Sequence, residues 1–167
     1  MSFTNRVSQT LHDEHRATIA LIERLEQLIS RNRHGNPPNP GDPGVARLFT
    51  DLTTWVDGEI NRHFTFEEDQ LFTYLNALGD EDIGVHLTEE HRAIRPLGAR
   101  IAALARAAGG QPIGNADWDE FRRIGQELCE RTLAHVQKEE MALLPVIEDV
   151  MDPDTEARLY QEYVDTM

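Results

Sequence analysis

Two stretches of the chain combine histidine and glutamate at a spacing that could bind a metal ion. His63 is followed four residues later by Glu67, and His135 is followed in the same way by Glu139. On an α-helix, residues i and i+4 lie on one face, one turn apart, so each stretch directs an imidazole and a carboxylate the same way. Two such helices facing each other would bring two histidines and two glutamates together.

The chain also contains an internal repeat. The tetrapeptide Glu-His-Arg-Ala occurs at residues 14–17 and again at residues 90–93. Each copy precedes one of the histidine/glutamate stretches, by 48 residues from His15 to His63 and by 44 residues from His91 to His135. This order predicts two similar halves that form a pseudo-two-fold helical bundle. Each half has one helix with a single histidine and one with a histidine and a glutamate.

Apolar residues recur with a period near 3.6 in four long segments, which we predict to be helices over residues 4–33, 45–78, 85–108 and 117–151. Gly79 is predicted to end the second helix and Asp117 to cap the fourth. Pro96 and Pro145 are expected to bend the third and fourth helices locally. Residues 34–44 contain four prolines and three glycines, so they should form a surface connection.

A short fifth helix should begin at Asp152 and Pro153, a favourable pair for a helix start, and run to about residue 166. No segment alternates with a period of two, so we expect no sheet. The prediction is an all-α, up-down-up-down four-helix bundle with a short extra C-terminal helix. With 167 residues, 40% of them hydrophobic, the chain fits a single domain over residues 1–167.

The composition limits the classes of partner that the protein could bind. A formal net charge of -14 disfavours nucleic acid and anionic membrane surfaces, which bind basic patches. There is no apolar run of about 18 residues and no apolar secretory signal at the N-terminus. The single cysteine, Cys129, excludes an intramolecular disulfide. We therefore expect a cytoplasmic protein that acts on a small molecule, with its oligomeric state left open.

Each candidate residue has an ordinary structural explanation when taken alone. A lone histidine on an apolar stripe is more often a hydrogen-bonded core residue than a ligand, and a salt bridge could explain one buried glutamate. The whole set is harder to explain, because four stripes carry a histidine, two add a glutamate, and cations are not placed to neutralise both. The sequence therefore favours metal binding by His15, His63, Glu67, His91, His135 and Glu139.

The types of ligand limit which metals could bind. Imidazole and carboxylate without thiolate suit Fe, Mn, Zn or Cu. Six donors are too many for one closed, four-coordinate zinc site. They suit two ions, each held by two histidines, with Glu67 and Glu139 as bridges. An oxo or hydroxo bridge would supply another donor and leave an open position, so we expect two iron ions bridged in this way.

These motifs resemble the hemerythrin-like domains, also called HHE cation-binding domains, over about residues 5–150. The resemblance rests on the two Glu-His-Arg-Ala copies and on His-x-x-x-Glu-Glu with a following apolar pair at His63 and His135. It implies a four-helix bundle with a non-haem di-iron site, and it assigns ligand roles to the same six residues. Ferritin-like proteins use Glu-x-x-His instead, which the two main stretches do not match.

The chain departs from hemerythrin proper at two points. Hemerythrin has a fifth histidine one turn from the lone histidine of its third helix, where this chain has Leu87 and Arg95. In its last helix, hemerythrin also has a longer spacing between histidine and carboxylate, and the carboxylate is an aspartate. In this chain the corresponding residues are His135 and Glu139. The missing histidine implies a more open, more symmetric site. It disfavours stable O2 carriage and favours reaction with, or sensing of, O2, peroxide or nitric oxide.

We therefore expect a non-haem di-iron protein that binds, senses or reacts with O2, hydrogen peroxide or nitric oxide. One alternative is a peroxide-consuming, catalase-like di-iron oxidoreductase, although no residue stands out in the sequence as its general acid. Others are an iron donor or storage protein and a metal-free helical interaction module. The sequence leaves open which small molecule is physiological and what donates electrons.

A few side chains near the stripes have less certain roles. His86, Glu59 and Tyr74 could each add a ligand, although core packing suits Tyr74 better. His12, three residues before His15, could orient a ligand, although an exposed position suits it better. We expect Cys129 to be a small core residue.

Overall fold

Four long antiparallel helices and a shorter fifth form the fold of this computed structural model, which describes residues 3–167 and contains no strand in that range. Residues 1 and 2 of the expected domain lie outside it. The helices are α1 (Arg6–Arg31), α2 (43–77), α3 (Asp82–Ala108), α4 (115–150) and α5 (Pro153–Val164). α1 and α3 each pack against both α2 and α4, and α5 lies against α1. The predicted up-down-up-down bundle with an extra C-terminal helix is confirmed.

Side chains and glycine fix several helix ends. The side chain of Asn5 accepts hydrogen bonds from two amides in the first turn of α1. Asp152 accepts one from the Thr155 amide, which confirms the predicted start of α5. Gly79, with φ of 91°, follows the end of α2 as predicted. Its left-handed conformation lets the Asp80 amide reach back to a carbonyl of the last turn.

Two helix starts differ from the prediction. α3 begins at Asp82, three residues early, and α4 begins at Asn115 with Gly114 as its N-cap. Asp117 lies instead inside the first turn of α4. A carboxylate is favourable in either place, because the helix dipole attracts negative charge throughout the first turn. An acidic residue therefore marks a helix start only to within a turn.

α2 and α4 are interrupted by π-helical segments that the periodicity did not predict. In α2 they are Trp55–Ile60 and Glu67–Leu71, and in α4 the segment is Glu139–Leu143. In each half, one π segment therefore begins at the stripe glutamate. The amide five residues further on donates to the carbonyl of that glutamate. Insertions of this kind are frequent at functional sites.

Of the two prolines predicted to bend the helices, one lies just after a π segment and the other lies inside a continuous α-helix. Pro145 falls in the first turn after Glu139–Leu143, so the irregular hydrogen bonding lies just ahead of it. Pro96 lies within α3, which continues to Ala108.

Two apolar clusters fill the bundle, with a layer of polar residues between them. Leu11 of α1 belongs to the smaller cluster and Leu21 to the larger, and His15 lies between them in the chain. The other three long helices pass from one cluster to the other in the same way. Cys129 is buried in the larger cluster, as expected, and burial raises the pKa of its thiol to about 12. None of the helices in residues 3–167 is long and apolar enough to cross a membrane.

Candidate metal centre

The polar layer contains all six predicted ligands. Each of the four long helices contributes one histidine, and α2 and α4 each add a glutamate, as the repeat predicts. All six residues are at most 5% exposed, and both glutamates are fully buried. The residues are His15, His63, Glu67, His91, His135 and Glu139.

The six residues form two overlapping groups in which the potential ligand atoms lie within 4.8 Å of one another. One group has four members and the other three, namely Glu67, His91, His135 and Glu139, and His15, His63 and Glu139. Glu139 belongs to both groups. Oε1 of Glu67 lies 3.3 Å from Nε2 of His91 and 3.5 Å from Nε2 of His63. Both glutamates therefore lie between the two pairs of histidines.

Among the four carboxylate oxygens of this layer, only Oε2 of Glu139 has a hydrogen-bond partner in the described residues, Nε2 of His15 at 2.9 Å. Across residues 3–167, neither oxygen of Glu67 has a hydrogen-bond partner, and neither does Oε1 of Glu139, which abuts Nε2 of His135. Burying an ionised carboxylate without a partner is strongly unfavourable. Metal ions between the glutamates and the imidazole nitrogens would pair these oxygens. The donor set therefore fits metal ions.

The protein groups of this layer also shift one another's pKa values. Burial opposes protonation of His15 and His91, but contacts with Glu139 and other carboxylates outweigh it and raise the pKa of both to about 9. Burial likewise opposes ionisation of Glu139. The surrounding histidines, His135 first, still hold its pKa well below the ordinary value. The centre is therefore a strongly negative environment that attracts protons or metal cations.

A second set of carboxylates holds the other nitrogen of each histidine. Nδ1 of His63 lies 3.0 Å from Glu14, and Nδ1 of His135 lies 2.8 Å from Glu90. Glu14 and Glu90 are the glutamates of the two Glu-His-Arg-Ala copies. Carboxylates in this position fix the tautomer and orientation of a histidine whose Nε2 binds metal.

The remaining two histidines are held across the repeat. Nδ1 of His91 lies 2.7 Å from Glu68, and Nδ1 of His15 lies 3.1 Å from Glu140. These are the second glutamates of the two His-x-x-x-Glu-Glu stretches, so each half orients a histidine of the other. The sequence prediction missed all four outer glutamates. Their recurrence at the same motif positions in both halves was the available sign.

Aromatic and cationic side chains lie next to His91 and its outer glutamate. The ring of Phe64 stacks on the His91 imidazole, with 3.8 Å between centroids. Arg95 donates to Glu68 at 2.7 Å and lies over the same Phe64 ring. Leu87 is buried in the smaller apolar cluster. The two positions that correspond to the fifth histidine of hemerythrin therefore hold a cation paired with Glu68 and a core residue.

A small cavity adjoins the group formed by His15, His63 and Glu139. It leaves about 20 Å³ for the centre of a water-sized molecule, which is room for one small molecule. Its remaining wall has four apolar or aromatic and four polar side chains, and consists of Thr18, Trp55, Glu59, Ile60, Phe64, Thr132, His135 and Val136.

The two threonines of the cavity wall differ in their hydrogen bonding. The Thr18 hydroxyl accepts from Nε1 of Trp55 at 3.0 Å and donates to Glu59 at 3.4 Å. The Thr132 hydroxyl is buried and has no partner in the part of the chain that the structure describes. Burial, together with the nearby charge of Glu14, raises the pKa of Glu59.

The less certain residues take varied positions. The side chain of His86 is 61% exposed and contacts Glu90 rather than the inner layer. Tyr74 packs against the smaller apolar cluster, and its hydroxyl donates to the Val150 carbonyl. Glu59 has a carboxylate oxygen within 4.8 Å of potential ligand atoms of Glu14 and His63, and it lines the cavity together with Glu139.

His12 is not exposed as expected. Its side chain is only 12% exposed, and its Nδ1 lies 2.7 Å from Glu140, the carboxylate that also contacts His15. It therefore belongs to the groups that orient a candidate ligand. The expectation was wrong because α4 packs beside this turn of α1 and covers it.

The comparison with protein families agrees with this geometry. The chain matches the family model of the hemerythrin HHE cation binding domain over residues 6–108 and again over residues 82–163. These matches include all six candidate ligands, and the chain belongs to this family. It is therefore a metal-binding helical domain. No curated protein and no solved structure matches the chain.

Proposed function

We propose that the chain is a non-haem di-iron protein that binds, senses or reacts with O2, hydrogen peroxide or nitric oxide. The observation that carries this proposal is the buried layer of four imidazoles around two glutamates with unpartnered oxygens. Imidazole and carboxylate suit iron, and two overlapping groups suit two ions.

The candidate ligands would be distributed between two ions. His15 and His63 would hold one ion and His91 and His135 the other, with Glu67 and Glu139 shared between them. The four outer glutamates keep each Nδ1 as a donor, so that each Nε2 is free for metal. When bound, the iron ions would supply redox chemistry and Lewis acidity that no side chain of the layer provides.

The cavity supports a small molecule as the partner of this centre. It leaves about 20 Å³ for the centre of a water-sized molecule, which suits a molecule as small as O2, nitric oxide or peroxide. It lies beside the group of His15, His63 and Glu139, so its occupant would be next to one of the two metal positions. The hydroxyl of Thr132, which has no partner in the described residues, could donate a hydrogen bond to that occupant.

Peroxide consumption is the second candidate function, and one residue favours it. Breaking the O–O bond of peroxide to form water requires protons, and Glu59 places a carboxyl group on the wall of the same cavity. The sequence had offered no such group. Replacing Glu59 with glutamine should then slow peroxide consumption more than it changes metal content.

Anaerobic reconstitution with Fe(II) tests the proposal. Iron per chain is counted, and the near-ultraviolet and visible spectrum is followed as O2, nitric oxide and then peroxide are added. We expect two irons per chain and charge-transfer bands that respond to these molecules. One iron or none would overturn the proposal. Reversal on removing the gas favours binding or sensing, whereas gas evolution with peroxide consumed favours catalysis.

Two variants make the test specific to the site. His63→Ala should lose at least one iron, whereas His34→Ala should retain both, because the His34 side chain is 78% exposed and pairs with Asp119. Equal iron content in both variants would contradict the assigned ligands. Ready loss of iron from the intact protein to a mild chelator would favour iron storage or donation instead.

A further inference from the structure

The fifth helix reaches the metal centre through one tyrosine. Tyr163 of α5 is only 1% exposed, and its ring stacks on Phe66 with 4.4 Å between centroids. Its hydroxyl donates to Oε1 of Glu14, the same oxygen that lies 3.0 Å from Nδ1 of His63. Arg62 donates to the other oxygen of Glu14 at 2.9 Å. A phenol is thus two hydrogen bonds from the ring of a candidate ligand.

The second half of the repeat lacks this arrangement. There Oε1 of Glu90 faces Nδ1 of His135, and within residues 3–167 its other two polar contacts are made by the opposite oxygen, with the ammonium of Lys138 and the ring of His86. The Lys138 side chain is 47% exposed, so solvent weakens its effect. The repeat is therefore asymmetric at the outer carboxylates, although it is symmetric at the six inner residues.

We propose that Tyr163 is a positioning residue that reduces the donor strength of His63 toward metal. A carboxylate oxygen that already accepts a strong hydrogen bond attracts the Nδ1 proton of its histidine less. The His63 ring is then less electron-rich than the His135 ring. The histidines of the two His-x-x-x-Glu-Glu stretches consequently differ in donor strength toward metal. This inference rests on the metal centre of the proposed function.

Zinc-loaded protein provides a test that does not depend on redox activity. In it, the Nδ1 protons of the four histidines, each hydrogen-bonded to a glutamate, should give proton NMR signals far downfield. The His63 signal is identified as the one lost in Glu14→Ala. In Tyr163→Phe, which keeps the ring stacked on Phe66, this signal alone should move further downfield, since Glu14 then attracts the proton more strongly.

Leu159→Ala is the matched control. Leu159 is buried in the same helix, and no polar contact links it to Glu14 in the described chain. This variant should lower the melting temperature and leave the His63 signal in place. The inference is overturned if Tyr163→Phe leaves that signal unmoved, shifts all four signals equally, or if Leu159→Ala shifts it as much.

The zinc content of the same samples separates this inference from the proposed function. Two zinc ions per chain with an unmoved His63 signal in Tyr163→Phe would overturn the role of Tyr163 alone. A wild-type protein that binds no zinc and no iron would overturn both the metal centre and the role of Tyr163.

Discussion

Neighbouring glutamates of one motif have different tasks, which their positions on the helix decide. Glu67 points into the polar layer, and Glu68, one residue on, reaches His91 of the adjacent helix from outside. Glu139 and Glu140 divide in the same way, with Glu140 against His15. Consecutive residues on a helix point about 100° apart, so one glutamate can serve the inner layer while the next orients a histidine beside it.

Removal of an outer glutamate should weaken metal binding. Glu90→Ala deprives the His135 ring of its Nδ1 acceptor, and we expect about a 10- to 100-fold loss of zinc or iron affinity. Glu89→Ala is the control, because the Glu89 side chain is 62% exposed and pairs only with Arg92 in the described structure. Competition with a chelator of known affinity measures both. An equal affinity in the two variants would contradict the orienting role.

The two threonines of the cavity should respond oppositely to valine. Thr132→Val removes a hydroxyl without a partner, so we expect the free energy of unfolding to be unchanged or to rise by up to about 1 kcal/mol. Thr18→Val leaves Nε1 of Trp55 without its acceptor and should cost about 1–3 kcal/mol. Urea unfolding of the metal-loaded proteins measures both. A larger loss for Thr132→Val would mean that its hydroxyl is bonded.

The sequence predicted which six side chains would meet, because the repeat placed one histidine on each apolar stripe. It did not predict their outer partners, since these lie on neighbouring helices and depend on how the helices pack. The pair of His12 and Glu140 joins residues 128 positions apart in the chain. No spacing rule within one helix could reveal such a contact.

At the scale of the helices, the stripe glutamates coincide with changes of helix type. The Glu67 amide donates to the His63 carbonyl, so the turn from His63 to Glu67 is α-helical. The π segment begins at Glu67, where this turn ends. The same holds for His135 and Glu139. The four-residue spacing therefore keeps its α-helical geometry between each histidine and glutamate of the candidate ligand set. Periodicity did not reveal the π segments, since spacings of four residues also occur along the apolar stripe of an ordinary α-helix.

Alanine substitutions of two glycines, one within α2 and one just after its end, should change the stability of the protein in opposite directions. Gly58 lies in a π segment with nothing within 4 Å of an added Cβ, so Gly58→Ala should stabilise the protein by about 0.5–1 kcal/mol. Gly79 has φ of 91°, so Gly79→Ala should destabilise it by about 1–2 kcal/mol. Thermal unfolding compares the two. A destabilising Gly58→Ala would indicate that the π segment itself requires glycine.

At the scale of the whole molecule, the polar layer separates two apolar clusters, so the bundle depends on what balances its charges. A metal ion that binds only the folded chain adds to stability by mass action. With free zinc at about 100 times its dissociation constant, we expect a gain of about 2.7 kcal/mol in the free energy of unfolding. His91→Ala should lose most of this gain and His34→Ala none. A wild-type protein whose melting temperature ignores zinc would contradict the metal centre.

The stability of the metal-free protein should fall as pH rises from about 6.5 to 9. In the folded chain the pKa of His15 and of His91 is about 9, against an ordinary 6.5. A folded-state pKa that is raised gives stabilisation fully present below pH 6.5 and lost as pH rises through about 9. Bound metal should reverse this trend, because it competes with protons for these histidines and binds more tightly as they are lost. Cys129 adds to this fall only as pH approaches 9, since its ordinary pKa is 9.0 and burial raises its folded-state pKa to about 12. Urea unfolding at several pH values, with chelator and with zinc, tests both slopes. A metal-free protein whose stability rises over this range would show that the carboxylates of the layer do not hold protons on these rings.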